Sequence, residues 1–246
     1  MTPFYRREHA VSSLAAESIT VMVDESVRVS GLVLAPPRAR ACYVLAHGAG
    51  AGMAHPFMAA VAAELAERGI ATLRYQFPYI EQGGRRPDPP RRAHATVRAA
   101  VAEAARLQKL PLVAGGKSFG GRMTSQAQAA APLAGVRGLA FLGFPLHPAG
   151  RPSQERGQHL FEVAIPMLFL QGTRDALAEL PQLTPLCEAL GARATLRLFA
   201  DADHSFHVPA RTGRKDAQVR SEMLDAFTAW IDEVSAGAAE APPADG

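Results

Sequence analysis

The segment Val113–Arg122, VAGGKSFGGR, closes a short apolar run and opens a stretch that can be helical, and it admits two readings. Gly116-Lys117-Ser118 is the ending of a phosphate-binding loop of the form G-x-x-x-x-G-K-[ST]. Gly116-Lys117-Ser118-Phe119-Gly120 is equally G-x-S-x-G, the elbow that lifts a nucleophilic serine off the end of a strand. The phosphate loop needs an arc of glycine-rich backbone ahead of the helix, so that its amides can wrap the phosphate oxygens. Here the first glycine position holds Pro111, which has no amide hydrogen, and Leu112-Val113-Ala114 continues the apolar run. The elbow needs small residues around a serine in a strained strand-to-helix turn, and Gly115, Gly116, Gly120 and Gly121 supply them. The segment therefore reads as strand, sharp turn and helix, with Ser118 at the turn and Lys117 as the variable position of the motif.

Outward from this elbow the same alternation recurs in both directions. Upstream, SITVMVD and VRVSGLVLAP around Asp24-Glu25-Ser26 read as an antiparallel hairpin. CYVLAHG is a continuous apolar run ending in glycine, as expected of a strand buried on both faces, and Phe57, Val61 and Leu65 then follow at helical spacing. IATLRYQF and a helix carrying Val97, Val101, Ala104 and Leu107 on one face lead into the elbow strand. Downstream come a helix from Met123 to Ala130, the strands GLAFLGF, PMLFLQG and ATLRLFA, and a helix over Leu177–Leu190 before the last of these. A final helix carries Val219, Met223, Phe227, Trp230 and Val234. Strands alternating with helices predict an α/β fold, a mostly parallel doubly wound sheet with an antiparallel N-terminal strand. We expect one domain over residues 1–235 and a disordered tail over 236–246, SAGAAEAPPADG being small and proline-bearing.

With 246 residues, 48% of them hydrophobic, the chain can bury a sizeable core. A formal net charge of +3 is too small to grip nucleic acid by phosphate neutralisation, so no nucleic-acid partner is expected. Cys42 and Cys187 sit in apolar surroundings without further Cys or His at zinc-ligand spacing, which predicts buried thiols and no metal. No apolar run is long enough to span a membrane and the N-terminus has no apolar signal region, so a cytoplasmic protein without a membrane partner is expected.

In such sheets ligands bind where the strand-to-helix loops gather at the carboxyl ends of the strands. A serine hydroxyl needs a base, and the base an orienting acid. Asp175 follows the strand MLFLQG, where it could serve as that acid or simply cap the next helix. His204 stands just past the last strand in FADADHSFH, with His207 as its rival. Asp201 and Asp203 lie so close to His204 in sequence that they are better suited to turn bonding.

These pieces, AHGAGAG, GGKSFGGR, FPLHP, QGTRD and DADHSF, cover roughly Ala46 to Phe206 and resemble a small α/β-hydrolase of the dienelactone-hydrolase-like group, which has little or no cap. The resemblance implies a Ser118, His204, Asp175 triad and an oxyanion hole from the amides of Phe119 and Ala49. Dienelactone hydrolases usually carry cysteine as nucleophile where this chain has Ser118, so the resemblance extends to the fold rather than to that substrate. It implies a carboxylesterase-like serine hydrolase that needs no cofactor and acts on a small soluble acyl substrate through an acyl-enzyme. A binding or scaffold protein on the same fold is the alternative. Pro145–Pro166 is long enough only for a minimal lid. Arg85 and Arg86, with Arg91 and Arg92, fall in the loop after the fourth strand, where they could meet an acidic substrate or simply be solvated. His147 could face the pocket or lie exposed, and His55 has no assigned role.

Overall fold

A computed structural model describes residues 14–236. The expected tail therefore lies outside the described residues, except for Ala236, which closes the last helix. Eight strands form one sheet: β1 (Glu17–Met22), β2 (Arg28–Leu34), β3 (Ala41–Ala46), β4 (Ile70–Tyr75), β5 (Leu112–Lys117), β6 (Val136–Leu142), β7 (Met167–Gly172) and β8 (Ala194–Phe199). Their order is β1-β2-β4-β3-β5-β6-β7-β8, antiparallel at β1-β2 and β2-β4 and parallel from β4 onward. The β1–β2 turn is held by Asp24 Oδ1, which accepts from the amides of Ser26 (2.8 Å) and Val27 (2.9 Å). Short Asp side chains stabilise turns in this way by standing in for a backbone acceptor.

Among the described residues six α-helices flank the sheet: α1 (Pro56–Glu67), α2 (Pro78–Glu81), α3 (Pro90–Leu107), α4 (Phe119–Ala130), α5 (Leu180–Leu190) and α6 (Asp216–Ala236). Alternation along β3 shows how they cover the sheet. Ala41, Tyr43 and Leu45 pack with Met58, Val61 and Leu65 of α1 and Met223 and Phe227 of α6. Cys42, Val44 and Ala46 face the other way, onto the apolar stripes of α3 and α4. All six β3 side chains are consequently buried, which is why that segment reads as an unbroken apolar run. Each Leu or Phe buried in this manner contributes roughly 1.5–3 kcal/mol. Both cysteines are buried and unpaired, and burial pushes their thiols up to about 12.

Three helix boundaries differ from the sequence expectation, α5 starting at Leu180 rather than Leu177. Arg91 and Arg92 belong to α3, which starts at Pro90, a residue whose fixed φ suits a first helical position. The elbow helix starts at Phe119 rather than Met123. Gly120 and Gly121 weaken the helical signal in sequence, but a Cβ at Gly120 would lie 2.5 Å from the carbonyl oxygen of His47. Close approach of α4 to the end of β3 requires glycine there. The chain leaves β3 for β4 on one side and returns to β5 on the other, so the carboxyl ends of β3 and β5 meet at a topological switch point.

Candidate active site

Ser118 stands at that switch point, between the last residue of β5 and the first of α4, with φ 50° and ψ −117°. A side-chain-bearing residue in this region costs on the order of 1–3 kcal/mol, so the surroundings must enforce it. They do so through Gly116, whose φ is 151° and whose missing Cβ would fall 2.2 Å from the carbonyl oxygen of Ala46. The strained turn presents Ser118 Oγ to His204, with Nε2 2.8 Å away. His204 Nδ1 is 2.6 Å from Oδ2 of the buried Asp175. With Nδ1–H donating to the carboxylate, Nε2 is left to accept from the serine hydroxyl.

Asp175 faces His204 and does not cap the next helix, whose N-cap is Glu179 without a side-chain cap. Its Oδ1 accepts from the amide of Leu177 (2.8 Å), a local turn bond, while Oδ2 accepts from His204 and from the side-chain amide of buried Gln171. Gln171 in turn accepts from the amide of Phe144 through Oε1 (2.9 Å), which fixes its orientation. Sequence reading missed Gln171, an isolated polar residue in the apolar run of β7. The rival groups lie elsewhere. His207 is exposed and pairs with Asp216 (2.9 Å), while Asp203 Oδ1 accepts from the amides of Ser205 and His207 as a turn residue.

The amides of Ala49 and Phe119 donate to no protein acceptor among the described residues, and both residues line clefts that reach Ser118. Buried His47 holds the Ala49 loop: Nε2 accepts from the amide of Phe77 (3.0 Å), leaving Nδ1–H to donate to the carbonyl of Gly48 (2.8 Å). Burial lowers its pKa to about 4, so the imidazole stays neutral and the tautomer constant.

His147 is buried. Its Nε2 accepts from the amide of Glu179 (3.2 Å) and its Nδ1 lies 3.0 Å from the carbonyl of Pro148, so it ties the lid segment to the start of α5. Both positions expected for it, facing the pocket or exposed in a loop, are thereby replaced. Arg85 and Arg86 are exposed and line neither cleft at Ser118. After α2 the amide of Gly84 bonds the carbonyl of Tyr79 (2.6 Å), a turn that leaves both arginines in solvent before Pro87 and Asp88 come back to the cleft. The arginines that do line it are Arg122 and Arg156. His55 caps α1, accepting from the amide of Phe57 (3.2 Å). Among the described residues no three His, Cys, Asp or Glu side chains gather as a metal site, and no helix is long and apolar enough to cross a membrane.

Lys117 has a definite contact. Its Nζ donates to the carbonyl of His204 (2.5 Å) and lies 5.8 Å from the centroid of the Phe206 ring, tying the histidine loop to β5. Desolvation lowers its pKa from 10.5 to about 8, against the opposing pull of Asp175 and Asp203. At neutral pH the fold therefore carries a resisted charge. Between about pH 8 and 10.5 the folded chain sheds the proton while the unfolded chain keeps it, so this group adds stability as pH rises. The urea midpoint of wild type relative to Lys117→Met is accordingly expected to increase between about pH 7 and about pH 10. An offset that stays constant would contradict it.

A family model described as alpha/beta hydrolase domain matches residues 39–232. Among solved structures, an alpha-beta serine hydrolase homologue from Coxiella burnetii superposes with a TM-score of 0.70 at 17% identity, over 86% of this chain and 97% of that one. A serine hydrolase without lid from Xanthomonas campestris gives 0.67 at 20% identity, covering 93% and 98%. A dienelactone hydrolase from Anabaena variabilis gives 0.67 at 24% identity, covering 87% and 98%. At these identities the likeness is one of fold.

Proposed function

We propose, from the premise that this chain belongs to the α/β-hydrolase domain family, that it is a carboxylesterase-like serine hydrolase with Ser118 as nucleophile, His204 as general base and acid, and Asp175 as orienting acid. The observation that carries the reading is Ser118 Oγ, held at φ 50° and 2.8 Å from His204 Nε2, with the opposite ring nitrogen 2.6 Å from a buried carboxylate. Esterases and a dienelactone hydrolase among the structural neighbours agree with it.

Ser118 Oγ adds to the acyl carbonyl carbon as His204 Nε2 takes its proton, and the amides of Phe119 and Ala49 receive the developing oxyanion. The bond to the leaving oxygen breaks as His204 returns that proton to it. Water then gives a proton to His204 and adds to the acyl-enzyme; the ester bond to Ser118 breaks and the serine recovers its proton. No residue in these steps needs a cofactor.

A fluorophosphonate probe tests the assignment, because it phosphonylates a serine activated in this way far faster than an ordinary hydroxyl. Peptide mapping is expected to find the adduct on Ser118. Folded protein that stays unlabelled, or that is labelled elsewhere, would favour a binding or scaffold role for the fold.

A further inference from the structure

Two clefts meet at Ser118, and they differ in chemistry. One contains His204, with Ala49, Ala51, Phe57 and Met58 in its wall beside His55 and Lys117, whose Nζ is taken up by the carbonyl of His204. The other lies on the Phe119 side, lacks His204, and is lined by Pro145, Leu177, Arg122 and Arg156. In acyl transfer the leaving oxygen must receive its proton from His204, so the leaving alcohol belongs in the first cleft and the acyl group in the second.

The acyl-side cleft carries two positive charges, and the carboxylate that also lines it, Asp88, pairs with neither. Arg122 follows Ser118 by one helical turn on α4, and helical side chains lean toward the N-terminus, so its stem runs back toward the nucleophile. Arg156 comes from the short 3-10 helix Glu155–Glu162 of the lid segment. Neither guanidinium is paired with a carboxylate among the described residues. Arg122 Nε is buried without a hydrogen-bond partner. Its pKa is lowered by desolvation and by the neighbouring charge of Arg156.

The other titratable groups nearby do not supply the missing anion. Asp88 reaches the cleft, but its Oδ2 accepts from the amide of Tyr79 (3.0 Å) and its Oδ1 lies 3.7 Å from Arg92. His159, bonded to Ser125 (2.8 Å), is kept neutral by burial, with Arg122 and His94 opposing its charge and its pKa down to about 4. Two like charges lining one half-dry cleft cost free energy unless an anion meets them, and the buried Nε of Arg122 leaves its terminal NH₂ groups to do so.

We propose that Arg122 and Arg156 bind a carboxylate carried by the acyl group of the substrate, so that the preferred substrates are half-esters of small dicarboxylic acids with an apolar alcohol. This rests on the serine-hydrolase reading. A guanidinium fork matches a carboxylate through two parallel N–H···O bonds, and two such forks fix the far end of the acyl chain while its near carbonyl meets Ser118. The hydrolysis products are a dicarboxylate and a neutral alcohol.

The test compares mono-p-nitrophenyl esters of succinate, glutarate and adipate with the neutral p-nitrophenyl butanoate, pentanoate and hexanoate. For at least one chain length the wild type is expected to favour the anionic ester by ~10- to 100-fold in kcat/KM, the size of one or two charge-assisted hydrogen bonds. Arg122→Gln and Arg156→Gln should each remove most of that preference, the loss on each anionic ester exceeding the loss on its neutral counterpart by ~10-fold or more. Equal kcat/KM for every anionic and neutral pair, or equal losses on both in the variants, would overturn the proposal and leave the serine-hydrolase reading standing. A second arm needs no turnover: glutarate should raise the melting temperature of wild type and of Ser118→Ala but not of Arg122→Gln. If no ester is cleaved yet glutarate stabilises in this Arg122-dependent way, the anion site stands and the hydrolase reading falls. No stabilisation at any glutarate concentration removes the site.

Discussion

Ser118→Ala is expected to lower kcat on a short p-nitrophenyl ester by ~10⁴- to 10⁶-fold, leaving only what the oxyanion amides and binding contribute. The fold should change little. Alanine and serine meet similar steric resistance at φ 50°, so the strain imposed by Gly116 and the close passage of Ala46 is kept. The hydroxyl removed makes one bond, to His204 Nε2, of the kind worth about 0.5–1.5 kcal/mol net. A fall in activity with an almost unaltered melting temperature thus separates a chemical role from a structural one. His204→Ala should cost about as much, and the double variant no more than either single one, because a nucleophile without its base and a base without its nucleophile are equally idle. A Ser118→Ala protein within tenfold of wild type would remove Ser118 from the mechanism. Multiplicative losses in the double variant would show that the two residues act separately.

How much of this was legible in the sequence depends on whether a residue's partners are near it in the chain. The strands and most helices were readable because burial on one or two faces writes a period into consecutive residues, as in β3 and in the Val97, Val101, Ala104 face of α3. The elbow was readable because its strain needs glycine at fixed offsets. Lys117 was not. Its contact is the carbonyl of His204, far along the chain, and no local pattern encodes a bond to a distant backbone oxygen. His147 and His47 were opaque for the same reason, each being defined by a distant amide, of Glu179 and of Phe77. The arginines teach a different lesson. The cluster around Arg85 and Arg86 was conspicuous by number, yet a turn at Gly84 leaves it in solvent. Arg122, at the end of VAGGKSFGGR, drew no reading from the sequence, although it follows Ser118 by one turn of α4. Its place in the cleft and its want of a carboxylate partner among the described residues are apparent only once the packing is known.

Asp175→Asn should preserve the fold and reduce kcat by roughly 10⁴-fold, the scale expected when the wrong imidazole tautomer is imposed. The reason lies in what surrounds the carboxylate. Three donors converge on it: the side-chain amide of Gln171 and His204 Nδ1–H at Oδ2, and the amide of Leu177 at Oδ1. A carboxylate accepts all three, whereas an asparagine must turn its own NH₂ toward one side. If the NH₂ faces Leu177, two donors confront each other and the turn after β7 loses its anchor. If it faces His204, it meets Nδ1–H; the ring then shifts its proton to Nε2, which can no longer accept from Ser118 Oγ. Gln171 cannot relieve the conflict by rotating, because its Oε1 is held by the amide of Phe144. The rate loss should shrink at alkaline pH, where hydroxide can take the serine proton in place of the imidazole, and wild type should show no such gain. Fluorophosphonate labelling of Ser118 should slow in parallel with turnover, since both require the same deprotonation. An Asp175→Asn variant that turns over within tenfold of wild type at neutral pH would mean that some other group orients His204, and the short bond to Asp175 would then be a structural tie for the loop after β8.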